Sequence, residues 1–313
     1  KEREEILGFA SLLNGLSEKL NGISTKHLER VAFENVVEEL LEIPGSSGHE
    51  SIIRNHVMKK LAALTDKITV DDYGNILAEV TFGRASRETA LTILLNSHLD
   101  VVDEIEVGRE ILKCGSVWTS SSGILGADDR AGVGVILHTL KQLQQMEFRT
   151  PVKVKIAFTV EEEVGLCGAR AVSSEFLEDV QAAFVVDRRG RGDIVTGTYG
   201  IDFCDELFGA MLALIGNLGD EDRWEPTLGG TSDTRIWAQQ GIQSVNLSVG
   251  YQYEHTSREE LDLDDAFATA NLLKKVFLHI DLLKSALRGI RRAKPNTDER
   301  LCQNRRKAVS TAS

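Results

Sequence analysis

The sequence predicts an α/β fold, a three-layer α/β/α sandwich built on a mostly parallel mixed sheet. Three observations lead there. Short apolar runs at 91–96, 182–186 and 244–248 read as buried strands. Segments with apolar residues at helical spacing lie between them, and strands alternating with helices favour a largely parallel sheet covered on both faces. The chain has 313 residues, 42% of them hydrophobic, enough for one large core or two small ones.

The elements follow in order. Residues 27–42 and 48–64 read as two helices broken at Pro44-Gly45-Ser46-Ser47-Gly48. Residues 68–70 and 76–82 are strands joined by the turn Asp71-Asp72-Tyr73-Gly74-Asn75. The run 91–96 is the first buried strand. Residues 129–145 are helical, with Val133, Leu137 and Leu140 on one face. Residues 152–158 alternate Val, Lys, Val, Lys, Ile, which is strand periodicity. Residues 264–284 form a long helix with Ala266, Ala270, Leu273, Phe277 and Ile280 in one stripe. The expected organisation is an N-terminal segment 1–27, a single catalytic domain 28–284, and a basic, solvated tail 285–313.

Charge narrows the partners. The net charge is −12, while residues 285–313 carry eight basic and two acidic side chains. Nucleic acid and anionic membranes are therefore not expected partners of the body. No run of 18 apolar residues is present, so no transmembrane helix is expected. The charged start Lys1-Glu2-Arg3-Glu4-Glu5 is unlike a secretory leader. Cys114, Cys167, Cys204 and Cys302 show no close pairing and are read as reduced thiols in a cytoplasmic protein.

Five side chains carry metal-binding chemistry in a telling context. His98 follows the strand 91–96, and Asp128 stands before a helix in Gly126-Ala127-Asp128-Asp129-Arg130. Glu163 ends Glu161-Glu162-Glu163 after the strand 152–158, Asp187 ends the run 182–186, and His255 lies in a polar loop. In open α/β sheets, sites form beyond the carboxyl ends of strands, so three of these groups converge on one edge. Two imidazoles and three carboxylates suffice for two zinc ions if Asp128, with its two oxygens, bridges them. Asp100 can fix the His98 tautomer from the other ring nitrogen. Three adjacent carboxylates would repel one another without cations; one can ligate while its neighbour takes a proton from the activated water.

These motifs resemble the co-catalytic dizinc exopeptidase superfamily, which includes peptidase T, glutamate carboxypeptidase, aminoacylase and bacterial dizinc aminopeptidases. Leu94-Leu95-Asn96-Ser97-His98-Leu99-Asp100 is similar to its first ligand motif, and Leu125-Gly126-Ala127-Asp128-Asp129-Arg130-Ala131-Gly132 to its bridging motif. Phe158-Thr159-Val160-Glu161-Glu162-Glu163-Val164-Gly165 resembles the base-plus-ligand motif, and Asp187 and His255-Thr256 match the remaining ligands. The resemblance implies a zinc exopeptidase fold of the phosphorylase/hydrolase-like kind. It implies one zinc on His98, Asp128 and Asp187, another on Asp128, Glu163 and His255, and Glu162 as general base. Cobalt or manganese suits the same donors. It also implies a cis peptide between Asp128 and Asp129, and a substrate-facing role for Gly229-Gly230-Thr231-Ser232-Asp233.

The chain departs from that pattern in its intervals. His255 lies 68 positions after Asp187, and Asp128 lies 30 after His98. Neither interval holds the second domain of lidded relatives or the large insert of shell-forming ones, so a bare catalytic domain is expected. The expected activity is hydrolysis of terminal amide bonds of a small peptide or amino-acid derivative, as an aminopeptidase. The alternatives are a carboxypeptidase or N-acyl-amino-acid deacylase, for which Arg235 is the one candidate cation, and a silent metal-binding homologue. Intact ligands and Glu162 speak against the last. Oligomeric state is open.

Overall fold

Strands buried on both faces set the architecture of the sheet. The computed structural model describes residues 25–83, 90–219 and 223–293. Two helices open it, α1 (Thr25–Leu41) and α2 (Ser51–Leu61). Strands β1 (Lys67–Val70), β2 (Ile76–Phe82), β3 (Leu91–His98), β4 (Ile111–Cys114) and β5 (Val117–Ser120) follow. Then come α3 (Ala127–Leu143), β6 (Val152–Thr159), α4 (Cys167–Ala171), α5 (Ser174–Leu177) and β7 (Ala182–Arg188). The next stretch holds β8 (Asp193–Thr198), β9 (Ile201–Asp202), α6 (Glu206–Gly216), β10 (Glu225–Leu228), α7 (Asp233–Gln239) and β11 (Gln243–Ser248). The described residues end with β12 (Tyr251–Gln252), β13 (Glu260–Asp262), α8 (Leu263–Leu278) and α9 (Ile280–Ala293).

The main sheet runs β1-β2-β6-β3-β7-β11-β8-β10, with β9 beside β8. Its middle, β6-β3-β7-β11, is parallel, and β2 and β8 join that middle antiparallel. In β3, Leu91, Ile93 and Leu95 enter the larger core and Leu94 the smaller; in β7, Phe184 and Val186 divide from Ala183 and Val185 in the same way. Alternate residues of a strand point to opposite faces, so each strand feeds two cores. The larger one is capped by α1, α2, α3, α6, α8 and α9, and the smaller by α4, α5 and α7. This is the expected three-layer α/β sandwich. A second, four-stranded antiparallel sheet, β12-β13-β5-β4, sits apart. Its short, half-exposed strands β4 and β5 give little apolar signal in the sequence.

Three elements differ from the sequence reading. Every residue of α3 except Lys141 is buried, because α1 and α8 pack over the side that would otherwise face water. Strand β6 is buried on both faces too; Lys155 is covered, its Nζ engaging Asp179 and the Phe176 carbonyl. The long helix expected over 264–284 breaks at His279 and continues as α9 to Ala293, with Ile280, Leu283, Leu287 and Ile290 buried along one stripe. The first residues assigned to the basic tail are thus helical and packed, Lys284 and Arg288 within the stripe having masked it; residues 294–313, with Cys302, lie outside the described residues. The interval between Asp187 and His255 is spent on β8, β9, β10 and β11 of the main sheet and on α6 and α7. Among the described residues no helix is long and apolar enough to cross a membrane.

Candidate active site

Parallel register brings the site together. His98, last in β3, pairs with Thr159, last in β6, and Asp187 lies near the end of neighbouring β7. The turn after β6 therefore starts beside His98. That turn is pinned by Asp100. Its Oδ1 accepts the Glu162 N–H at 3.0 Å, and its Oδ2 accepts the Glu163 N–H at 3.2 Å and the Ser47 hydroxyl at 2.7 Å. The His98 ring is held from behind as well: Nδ1 lies 3.0 Å from the Asp100 carbonyl oxygen and 3.4 Å from its carboxylate. The main-chain oxygen, rather than the carboxylate alone, receives the Nδ1 proton. Burial opposes ionisation of Asp100, but His98, Ser47 and the Glu162 amide outweigh it and hold its carboxyl at about 2.

Asp128 occupies the middle. Gly126, at φ +77°, makes the turn into it, and the Asp128–Asp129 peptide is cis, as the resemblance implies. Glu259 holds this turn from afar, accepting the Gly126 N–H at 2.8 Å and the Asp128 N–H at 3.0 Å. Asp129 turns inward, where the Ser97 hydroxyl and the Gly132 N–H donate to it. Only glycine fits at 132, since a Cβ there would lie 2.0 Å from the Val186 carbonyl oxygen. Asp187 is fixed by paired bonds with Asn246 (2.9 and 2.7 Å) and by the Tyr251 hydroxyl at 3.0 Å. His255 sits in a left-handed loop conformation, φ +63°.

The donor atoms fall into two sets. His98 Nε2 lies 3.2 Å from Asp128 Oδ1 and 3.5 Å from Asp187 Oδ1. His255 Nε2 lies 3.1 Å from Asp128 Oδ2 and 2.9 Å from Glu163 Oε1. Each oxygen of Asp128 thus serves a different imidazole. Tetrahedral zinc with bonds of about 2.0–2.1 Å needs donors ~3.3 Å apart, which is the spacing found. Glu163 Oε1 is buried and, despite its closeness to His255, makes no hydrogen bond of acceptable geometry; donors aimed at a common ion meet in this way. All five sequence-predicted ligands are in the cluster, and Glu162 lines the same cleft.

Electrostatics agrees with the donor chemistry. Burial pushes the Glu162 carboxyl up to about 10 and those of Glu163 and Asp187 to about 7. Burial and Asp187 push Asp129 well above its usual range. Burial also opposes ionisation of Asp128, yet hydrogen bonds from His255 and His98 hold it well below the usual carboxylate range. Hydrogen bonding to Asp128 raises His255 to about 9; His98 is raised well above its usual value, Asp187 and Asp100 outweighing burial. So many buried carboxyl groups cannot all ionise against two imidazoles, and divalent cations would supply the missing charge. The residues present fit a two-metal centre.

Several groups escaped the sequence reading. Asn246, Tyr251 and Glu259 hold predicted ligands from far away in sequence, and Asp129, although within the quoted 125–132 motif, accepts the His98 N–H at 3.3 Å, a contact the motif does not announce. Asp233, although within the quoted Gly229–Asp233 segment, is buried beneath the site, where it accepts from Thr159 and Asn96. Gly230, Thr231 and Ser232 line the cleft, together with Arg188, Arg189 and Glu254. Arg235 does not line it.

Comparisons place this fold among known proteins. The uncharacterized protein YqjE of Bacillus subtilis (strain 168) is 27% identical over 166 residues, 50% of this chain and 43% of that protein. The matched part is thus less than half of that relative's length. The fold is similar to aminopeptidase PepT from Bacillus cereus ATCC 10987 (TM-score 0.67, 18% identity, 79% of this chain and 98% of that one). It is similar to a tripeptidase from Staphylococcus aureus subsp. aureus mu50 (0.66, 19%, 83% and 99%). It also resembles aminopeptidase APDkam598 from the archaeon Desulfurococcus kamchatkensis (0.65, 19%, 79% and 95%). The model of peptidase family M28 matches residues 75–276, a span that contains all five sequence-predicted ligands, and the chain belongs to that family.

Proposed function

We propose that the chain is a zinc-dependent exopeptidase, an aminopeptidase that removes residues from the amino end of small peptides. The observation that carries this reading is the division of the Asp128 oxygens between two imidazole-containing donor sets. His98, Asp128 and Asp187 would hold one zinc, and Asp128, Glu163 and His255 the other. When bound, such a pair supplies Lewis acidity, polarising the scissile carbonyl and lowering the pKa of water toward ~7.

The chain's own residues do the rest. Asp100 fixes the His98 ring and the backbone of Glu162 and Glu163, so base and ligand are presented from one rigid turn. Glu162 has no ligand role; it takes a proton from water at a carboxylate oxygen and passes it to the leaving amine. Asn246 and Tyr251 orient Asp187, and Glu259 orients Asp128. Gly230, Thr231 and Ser232 form the wall on which a peptide backbone rests.

The reading includes a single catalytic domain over 28–284 without an inserted lid, a short peptide substrate, and a cytoplasmic location, which the scattered cysteines support. A carboxypeptidase needs a free cation for the substrate carboxylate. Arg189 in the cleft is already engaged by Glu254 and Arg188 by Asp193, which favours the amino-terminal reading. The test is hydrolysis by zinc-reconstituted protein of aminoacyl p-nitroanilides, N-acyl amino acids and carboxy-terminally free dipeptides blocked at the amine. Cleavage confined to the blocked substrates would reject the aminopeptidase assignment.

A further inference from the structure

Glu254 precedes the ligand His255 and lines the same cleft. Its side chain is only 10% exposed. One oxygen, Oε1, is taken by the Arg189 guanidinium, whereas Oε2 is buried and has no hydrogen-bond partner. A buried carboxylate oxygen left unpaired is costly. The Glu162, Glu163 and Asp187 carboxylates in the cleft are spoken for by the proton transfer and the donor sets, so Glu254 is the wall carboxylate with a free oxygen.

We infer that Glu254 receives the α-ammonium group of the substrate through its unpaired Oε2, with Arg189 on Oε1 as a competing cation. This rests on the aminopeptidase reading and deepens it by naming the residue that recognises a free amine. An ammonium carries three donors and no acceptor, so it matches a carboxylate oxygen that lacks a donor. An N-acylated substrate offers a neutral amide there and loses the charge-assisted bond. Arg189 offsets part of the Glu254 charge at Oε1 while leaving Oε2 unpaired.

The test compares wild type, Glu254→Gln and Arg189→Gln. Leucine p-nitroanilide and its N-acetyl derivative report kinetics. Calorimetric binding of L-leucinol, an amine with no bond to cleave, to zinc-loaded protein reports recognition apart from turnover, and elemental analysis reports metal content. Glu254→Gln is expected to keep its metal and weaken leucinol binding about tenfold or more, the scale of one charge-assisted hydrogen bond. The KM for the free-amine substrate should rise by a similar factor, with kcat changed far less. Arg189→Gln should move KM in the opposite direction, because Glu254 loses its competing cation; a residue that merely braced the loop would not invert the sign. Unchanged leucinol affinity in Glu254→Gln, or loss of metal from it, would overturn the inference. If wild type cleaves neither substrate, the aminopeptidase reading fails, and leucinol binding still decides whether Glu254 recognises an amine.

Discussion

Replacing Asp100 with Asn keeps its shape and removes a charge that several donors share. The wild-type carboxyl is held at about 2, against an ordinary 3.8. At ~1.36 kcal/mol per pKa unit, that gap corresponds to about 2.4 kcal/mol of stability, undiscounted because the side chain is fully buried. A neutral amide would also turn its NH2 toward one of the donors on Ser47, Glu162 or Glu163. With about 2–4 °C of Tm per kcal/mol for domains of this general size, metal-free Asp100→Asn should melt roughly 5–10 °C below wild type at pH 7. The sign with pH follows from linkage. The folded pKa lies below the unfolded one, so the contribution is present above about pH 4 and is lost as pH falls from 3.8 to about 2. The gap between variant and wild type should therefore narrow below pH 4. Denaturant and thermal melts of both proteins at pH 7, 5 and 3 test this. A variant within a degree of wild type at pH 7, or an equally large gap at pH 3, would refute the view that Asp100 pins the turn as an anion.

Other outcomes follow from the same geometry. Metal-reconstituted protein should bind close to two equivalents by elemental analysis, and full activity at one equivalent would remove Asp128 from the bridging position. Glu162→Gln should lower kcat by ~10²–10⁴-fold with both metals retained, whereas Glu163→Gln should lose metal from one site; the reverse pattern would exchange their roles. Glu163 and Asp187 have folded pKa values raised to about 7 from 4.5 and 3.8, so the folded state holds their protons more tightly. Metal-free protein should therefore lose stability as pH rises from about 4 to 7, and zinc should restore more of it at pH 7 than at pH 5; melts with and without chelator would expose a flat profile.

The strands and the donors that cluster were legible in the sequence because both are local. Buried parallel strands read as continuous apolar runs, and their carboxyl ends are where His98, Glu163 and Asp187 stand. The edges were harder. Strands β8 and β10 hold Thr, Gly and Pro, and their pairing is visible only in space. The stripe of α9 was hidden by Lys284 and Arg288 within it and by the arginines that follow. The contacts that aim the ligands were the least legible. Asn246 reaches Asp187 across 59 positions, and nothing in either neighbourhood announces the pair. Tyr251 reads as one more core aromatic until its hydroxyl is seen on Asp187.

Glu259 has a bearing on how the centre comes apart. It grips the amides of Gly126 and Asp128 from 133 and 131 positions away, on the same loop that delivers His255. Those two amide hydrogens can exchange with deuterated solvent only when the distant loop lets go. Protection at 126 and 128 should then rise and fall with protection across 255–262, as one cooperative opening unit. The fifth donor and the support of the central carboxylate leave together, so a centre stripped of His255 but otherwise intact would not accumulate.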